Sequence, residues 1–175
     1  ILNICKKHKI FIVEDACMGI GAKVYKKSPG TFGHVNAFSM HPLKSLNVMG
    51  DGGMVLTQNE ELAVRLKRLR QHGCDDSGHV VEMNGTNARL PSLLAAVLRV
   101  RMASMDAEVL RRREIASLYD SVLEHRAIRR DVNSPVSVYA FLHPRRDKIA
   151  DQLREAGIPT AMYYPRLAHD HPAFK

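Results

Sequence analysis

A four-residue apolar run, Ile10-Phe11-Ile12-Val13, ends abruptly in the acids Glu14-Asp15. Such a run predicts a buried strand whose C-terminal end presents a carboxylate. In open α/β sheets, ligands bind beyond the carboxyl ends of strands. A second short strand, predicted from Val35 to Ser39, delivers a hydroxyl and, five residues later, Lys44. Glycine-rich turns at Gly30 to Gly33 and Gly50 to Gly53 flank that lysine. Small residues there are expected to let a bulky planar ligand approach the backbone.

One aspartate, one serine and one lysine at neighbouring strand ends suit a particular chemistry. A lysine amine forms a Schiff base with an aldehyde. An aspartate holds a protonated pyridine nitrogen and keeps the ring an electron sink. A serine hydroxyl with nearby amides binds a phosphate. Together these needs describe pyridoxal phosphate. Taken singly, a lysine is ordinarily solvated surface and an aspartate after a strand is a turn or helix cap.

The order of the segments carries further. Glu14-Asp15-Ala16, Gly21-Ala22, Phe38-Ser39, Pro42-Leu43-Lys44 and Gly50-Asp51-Gly52-Gly53 resemble the DegT/DnrJ/EryC1/StrS family of sugar aminotransferases. Downstream, Gly85-Thr86-Asn87-Ala88-Arg89-Leu90 is similar to that family's G-x-N-x-R segment. Arg111-Arg112-Arg113-Glu114-Ile115-Ala116 is similar to its long linking helix, and Gly157-Ile158-Pro159-Thr160 through Tyr164-Pro165 and His169 resembles its G-I-x-T…H-Y-P…H segment. The likeness covers essentially the whole chain.

The resemblance implies an α/β fold, fold type I, like aspartate aminotransferase. Residues 1–105 would be the C-terminal part of the large cofactor-binding domain, 106–126 a linking helix, and 127–175 a truncated small domain. It implies that Lys44 carries pyridoxal 5'-phosphate, Asp15 holds the ring nitrogen and Ser39 binds the phosphate. Asn87 would reach across a homodimer to the partner's phosphate. His41, Arg89, Tyr163 and His169 would lie near the substrate. The expected reaction passes an amino group, from glutamate or glutamine, to a nucleotide-linked or phosphorylated keto sugar. Two departures stand out. Met18 replaces the usual Gln or His that contacts the ring hydroxyl, and a thioether is only a weak acceptor. Tyr163 stands where His often precedes Tyr-Pro.

Two other readings are weighed. One is a different sugar-modifying enzyme on the same scaffold, such as a dehydratase with histidine in place of the lysine; Lys44 argues against it. The other is a non-catalytic DegT-like regulator, for which a basic surface would suit nucleic acid. The net charge is +8, with cations in Arg65-Leu66-Lys67-Arg68-Leu69-Arg70 and Arg111-Arg112-Arg113. Those runs lack the interleaved aromatic residues that stack on bases, so solvated helix faces are the favoured reading over nucleic-acid binding.

The chain has 175 residues, starts at Ile1 and stops in mid-pattern, so it is expected to be an internal fragment. No run of about 18 apolar residues suggests a membrane span. Cys5, Cys17 and Cys74 have neither disulfide-framework nor zinc spacing, and the expected compartment is the cytoplasm. The histidines near Asp75, Asp76 and Asp170 match no metal motif, and no metal is expected.

Among regular elements, a small hairpin is expected over 23–32. A helix is expected after Asn59 with Leu62, Leu66 and Leu69 inward, another from Pro91 with Leu94, Leu98, Met102 and Met105 on one face, and a third from Asp106 to about His125 with Leu110, Leu118 and Val122 inward. A strand from Ser137 to Leu142, a helix from Arg146 to Ala156 and a strand from Thr160 to Tyr164 complete the pattern.

Overall fold

The structure, a computed structural model, describes residues 1–174. The chain divides into two compact units, one of residues 1–124 with 129–139, the other of 125–128 with 140–175.

The first unit is built on a three-stranded sheet in the order β1-β2-β3, namely Val13–Asp15, Val35–Ser39 and Gly53–Leu56. β1 and β2 run parallel, with Asp15 opposite Ala37. β3 is antiparallel to β2, with Gly53 opposite Ser39. This register brings the C-terminal ends of β1 and β2 and the start of β3 to one edge.

Helix α1 (Leu2–Lys7) precedes the sheet. The first strand begins later than the apolar run predicts. The Ile12 N–H is taken by His34 Nδ1 at 2.9 Å, and the His34 ring stacks on Phe11 at 4.7 Å. That side-chain contact stands where a ladder bond would start. β1 also has a single neighbour, and Val13 is 68 % exposed, so the run is not the buried strand expected.

Helix α2 (Glu60–Leu69) starts as predicted. Asn59 has extended backbone and its Oδ1 accepts from the Leu62 N–H at 2.9 Å. Leu62, Leu66 and Leu69 are half-buried. Helices α3 (Ser92–Met102) and α4 (Met105–Leu123) are separated only by Ala103 and Ser104. Met40, Leu46, Val48 and Leu98 form the core, with Ile20, Leu90, Leu94 and Met105 packed against it. The segment after β2 therefore folds back onto α3. Burying side chains of this size is worth roughly 1.5–3 kcal/mol each. Met102, expected on the same face, is exposed.

The inward face of α4 differs from the expected one. Leu110, Leu118 and Val122 are exposed, while Val109 and Ala116 are buried. Arg113 and Asp120 share the turn-spaced face of Val109 and Ala116. Arg113 donates to the carbonyls of Ser134 at 2.9 Å, Asn133 at 2.8 Å and Gly21 at 3.2 Å. Asp120 accepts from both arms of the Arg130 guanidinium and from the Tyr139 hydroxyl. Polar partners select this face, which a purely apolar stripe cannot reveal.

The hairpin expected over 23–32 contracts to one bridge, Val24 to Lys27. In the second unit, α5 (Arg146–Glu155) forms with Ile149 and Leu153 half-buried, and Gly157 follows in the left-handed region at φ +75°. The strand expected over 137–142 is reduced to a bridge between Ala127 and Phe141. Val136, at φ +49°, interrupts extension just before it. Residues 160–164 are irregular, with no described strand beside them to pair with.

Candidate active site

Asp15 ends β1 and Ser39 ends β2, so the parallel register sets carboxylate and hydroxyl on one sheet edge. Lys44 follows on the loop that leaves β2. That loop is closed by backbone bonds from Met40 N–H to Gly52 at 2.8 Å, Lys44 N–H to His41 at 2.9 Å and Val48 N–H to Met40 at 2.9 Å. Ser45, Leu46 and Val48 are buried under it, while Lys44 itself is half-buried. The side chain is thus carried on a pinned backbone with its amine left reachable.

Lys44 Nζ donates to Met18 Sδ at 3.0 Å. Asp15 Oδ1 accepts from the Cys17 N–H at 3.0 Å. The Cys17 thiol, then its N–H, hold the Asp15 carboxyl below its ordinary range, and the Lys44 charge adds to this. The same contact raises the Cys17 thiol, because the thiol proton is shared with a carboxylate. The thiol also lies 3.9 Å from the Ala37 carbonyl, an uncharged and weaker acceptor than a carboxylate.

Ser39 Oγ accepts from the His41 N–H at 3.3 Å and keeps its own proton to donate. His41 Nδ1 accepts from the Leu43 N–H at 3.2 Å, so this histidine braces the loop. Asp15, Met18, Ser39, His41 and Lys44 thus gather about one sheet edge. Asn87 lies on a return segment that pairs with Gln71, and its Oδ1 accepts from Arg89 Nε at 3.1 Å. Tyr163 and His169 are exposed residues of the second unit; His169 Nε2 is 3.9 Å from Asp170.

Several contributors were not singled out by the sequence. Glu14, next to the candidate aspartate but pointing to the other face of the strand, accepts from the N–H groups of Gly30 at 2.7 Å, Phe32 at 2.8 Å and Gly33 at 3.2 Å. It ties down the glycine turn. Two of the turn glycines are closely approached by the protein's own side chains. A Cβ on Gly30 would lie 2.1 Å from Phe38 Cζ, and one on Gly52 would lie 2.9 Å from Val48 Cγ2. These glycines make room for the protein's own side chains. Asn47 and Arg101, which brace the lysine loop, carried no local signal beyond Asn47 standing three residues after Lys44.

Among the described residues no helix is long and apolar enough to cross a membrane.

A family model, the DegT/DnrJ/EryC1/StrS aminotransferase family, matches residues 1–175. The chain is 36% identical over 185 residues to a pleiotropic regulatory protein of Geobacillus stearothermophilus, covering 99% of this chain and 49% of that one. It is 37% identical over 178 residues to a dTDP-3-amino-3,4,6-trideoxy-alpha-D-glucose transaminase of Streptomyces venezuelae, covering 98% and 47%. It superposes with a TM-score of 0.89 on the crystal structure of a DegT DnrJ EryC1 StrS aminotransferase from Brucella abortus, at 33% identity over 98% of this chain and 47% of that one. The chain spans about half the length of the curated relatives it matches. Its architecture is part of the aspartate aminotransferase-like fold type I.

Proposed function

Because the chain belongs to the DegT/DnrJ/EryC1/StrS aminotransferase family, we propose that it carries the lysine-bearing part of a pyridoxal-phosphate-dependent sugar aminotransferase. The observation that supports this most is the parallel register of β1 and β2, which sets Asp15 and Ser39 at one edge beside the Lys44 loop. The donor set fits the cofactor: an amine for its aldehyde, a carboxylate for its ring nitrogen and a hydroxyl with a proton to donate to its phosphate.

When bound, pyridoxal phosphate supplies an electron sink for negative charge at the substrate carbon. Asp15, kept ionised by Cys17 and Lys44, would accept the ring N–H and so hold that proton in place. Ser39 orients the phosphate end. Lys44 would hold the cofactor through its aldehyde and, once the amino donor has displaced its amine, that amine would take up and return the proton at the substrate carbon. Met18 meets the lysine amine and would offer the ring an apolar neighbour.

The acceptor in this reading is a keto sugar carried on a nucleotide or a phosphate, and the donor is glutamate or glutamine. The named activity of the Streptomyces relative supports the first part. Residues 1–105 belong to the large domain and 106–126 link it to the small one, which takes residues 127–175 apart from 129–139, grouped with the first compact unit. Asn87 serves the phosphate of a partner subunit in a homodimer, and His41 and Arg89, in the same compact unit as Lys44, face the sugar or the donor.

The test is a titration of the full chain with pyridoxal phosphate, followed by visible absorbance, borohydride reduction and peptide mapping. A pyridoxyl group on Lys44, absent from Lys44→Ala, is the expected result. No modification of Lys44 in a folded protein would overturn the reading.

A second reading, a DegT-like regulator, draws on the name of the Geobacillus relative. It predicts DNA binding whose affinity falls steeply with salt, because cations that neutralise phosphates release counterions. Amine transfer to a keto sugar without such binding would exclude it.

A further inference from the structure

The lysine loop is tied to the α3–α4 corner by an unbroken run of side-chain contacts. Asn47 Nδ2 donates to the Lys44 carbonyl at 2.8 Å. Asn47 Oδ1 accepts from Arg101 Nη1 at 2.6 Å. Arg101 Nη2 meets Glu108 Oε2 at 3.2 Å, and Glu108 Oε1 accepts from Ser104 Oγ at 2.8 Å. Arg101 is the last-turn residue of α3 and Glu108 lies in the first turn of α4. The amide of Asn47 therefore uses both of its ends, one on the lysine's own backbone and one on a cation held from the next helix.

This arrangement does more than fill space. The Arg101–Glu108 pair is about one-third exposed on each side, too open to add much stability by itself. A neutral amide whose acceptor faces a guanidinium is, however, fixed in orientation, and its N–H₂ must then point at Lys44. The Ser104 hydroxyl, then the Arg101 charge, hold the Glu108 carboxyl below its ordinary range, so the anchor stays charged.

We infer that Asn47 and Arg101 are positioning residues for Lys44: through the Lys44 carbonyl they set the direction in which the lysine side chain leaves its loop. The inference rests on the proposed role of Lys44, but its test does not require that role. A side chain released from one backbone orientation samples more of them, and misplacement of a reacting group costs rate out of proportion to distance.

The experiment measures acetylation of Lys44 by trace acetic anhydride in the cofactor-free full chain, relative to exposed Lys67 as internal reference. Asn47→Ala and Arg101→Met are expected to raise the Lys44 to Lys67 ratio by about threefold or more, in line with losing one hydrogen bond. Ser45→Ala removes a different contact of the same loop, Ser45 Oγ to Ser137 Oγ at 2.8 Å, and should leave the ratio within about 1.5-fold. Arg101→Lys, which keeps the charge but not the fork, is the variant to use if the others fail to fold; it should raise the ratio by a smaller factor. Ratios unchanged in folded Asn47 and Arg101 variants, with only the melting temperature lowered, would overturn the inference. If wild type takes no pyridoxyl group on Lys44, the functional reading falls while the acetylation ratio still judges the network.

Discussion

The Met18 thioether sulfur lies 3.0 Å from the Lys44 amine. Met18 precedes the lysine by 26 residues and reaches it because β1 and β2 end at the same edge. The chain thus offers the amine a soft acceptor that does not compete strongly for its protons. Met18→Leu is therefore expected to change the dissociation constant for pyridoxal phosphate by no more than about threefold, the low end of a single hydrogen bond. Met18→Gln, with a stronger acceptor, should bind differently from both. Absorbance titration measures all three, and a loss of about a hundredfold in Met18→Leu would show that the sulfur does more than meet the lysine.

Glu14 gathers three backbone N–H groups, and no other carboxylate in the turn can replace it. Glu14→Ala leaves those donors without their charged acceptor. The expected loss is about 2–3 kcal/mol. For a chain of this size that lowers the melting temperature by roughly 4–12 °C in calorimetry. A drop under a degree would mean that water satisfies the turn equally well.

Gly30 and Gly50 both have positive φ, +85° and +143°, yet only Gly30 faces an obstacle. Gly30→Ala combines backbone strain with a clash against the Phe38 ring, whereas Gly50→Ala meets nothing within 4 Å. Denaturant unfolding should show Gly30→Ala losing about 3 kcal/mol or more and Gly50→Ala about 1–2 kcal/mol. Equal losses would show that the ring moves aside freely.

Asp120 is held below the ordinary carboxylate range, first by Arg130 and then by the Tyr139 hydroxyl. A carboxylate with a lowered folded pKa adds stability above its unfolded pKa, about 4, and loses it as pH falls toward the folded value. Wild type should thus melt higher than Asp120→Asn at neutral pH, and the gap should close below about pH 4. Parallel melting curves across that window would remove Asp120 as the source.

How much of this was legible in the chain itself differs from element to element. The helix after Asn59 was legible because its cap, its acidic first turn and its leucine stripe are all local. Lys44, Asp15 and Ser39 stood out because they lie in short segments whose order along the chain resembles that of the family. The inward face of α4 was not legible, since Arg113 and Asp120 find their partners 20 and 10 residues away, at Asn133 and Arg130.

The amino-acid sequence by itself determined the family, the fold class and the candidate lysine, because strand pattern, caps and motif order are properties of neighbours along the chain. Only the tertiary structure decided that Met18 meets Lys44, that Glu14 holds the glycine turn, that Phe38 fills the space above Gly30, and that Asn47 and Arg101 brace the lysine. Each of those contacts depends on strand register or on how a loop packs against a helix. Hydrogen bonds and close packing act over a few ångströms in space, and separation along the chain does not reveal which groups will come that near.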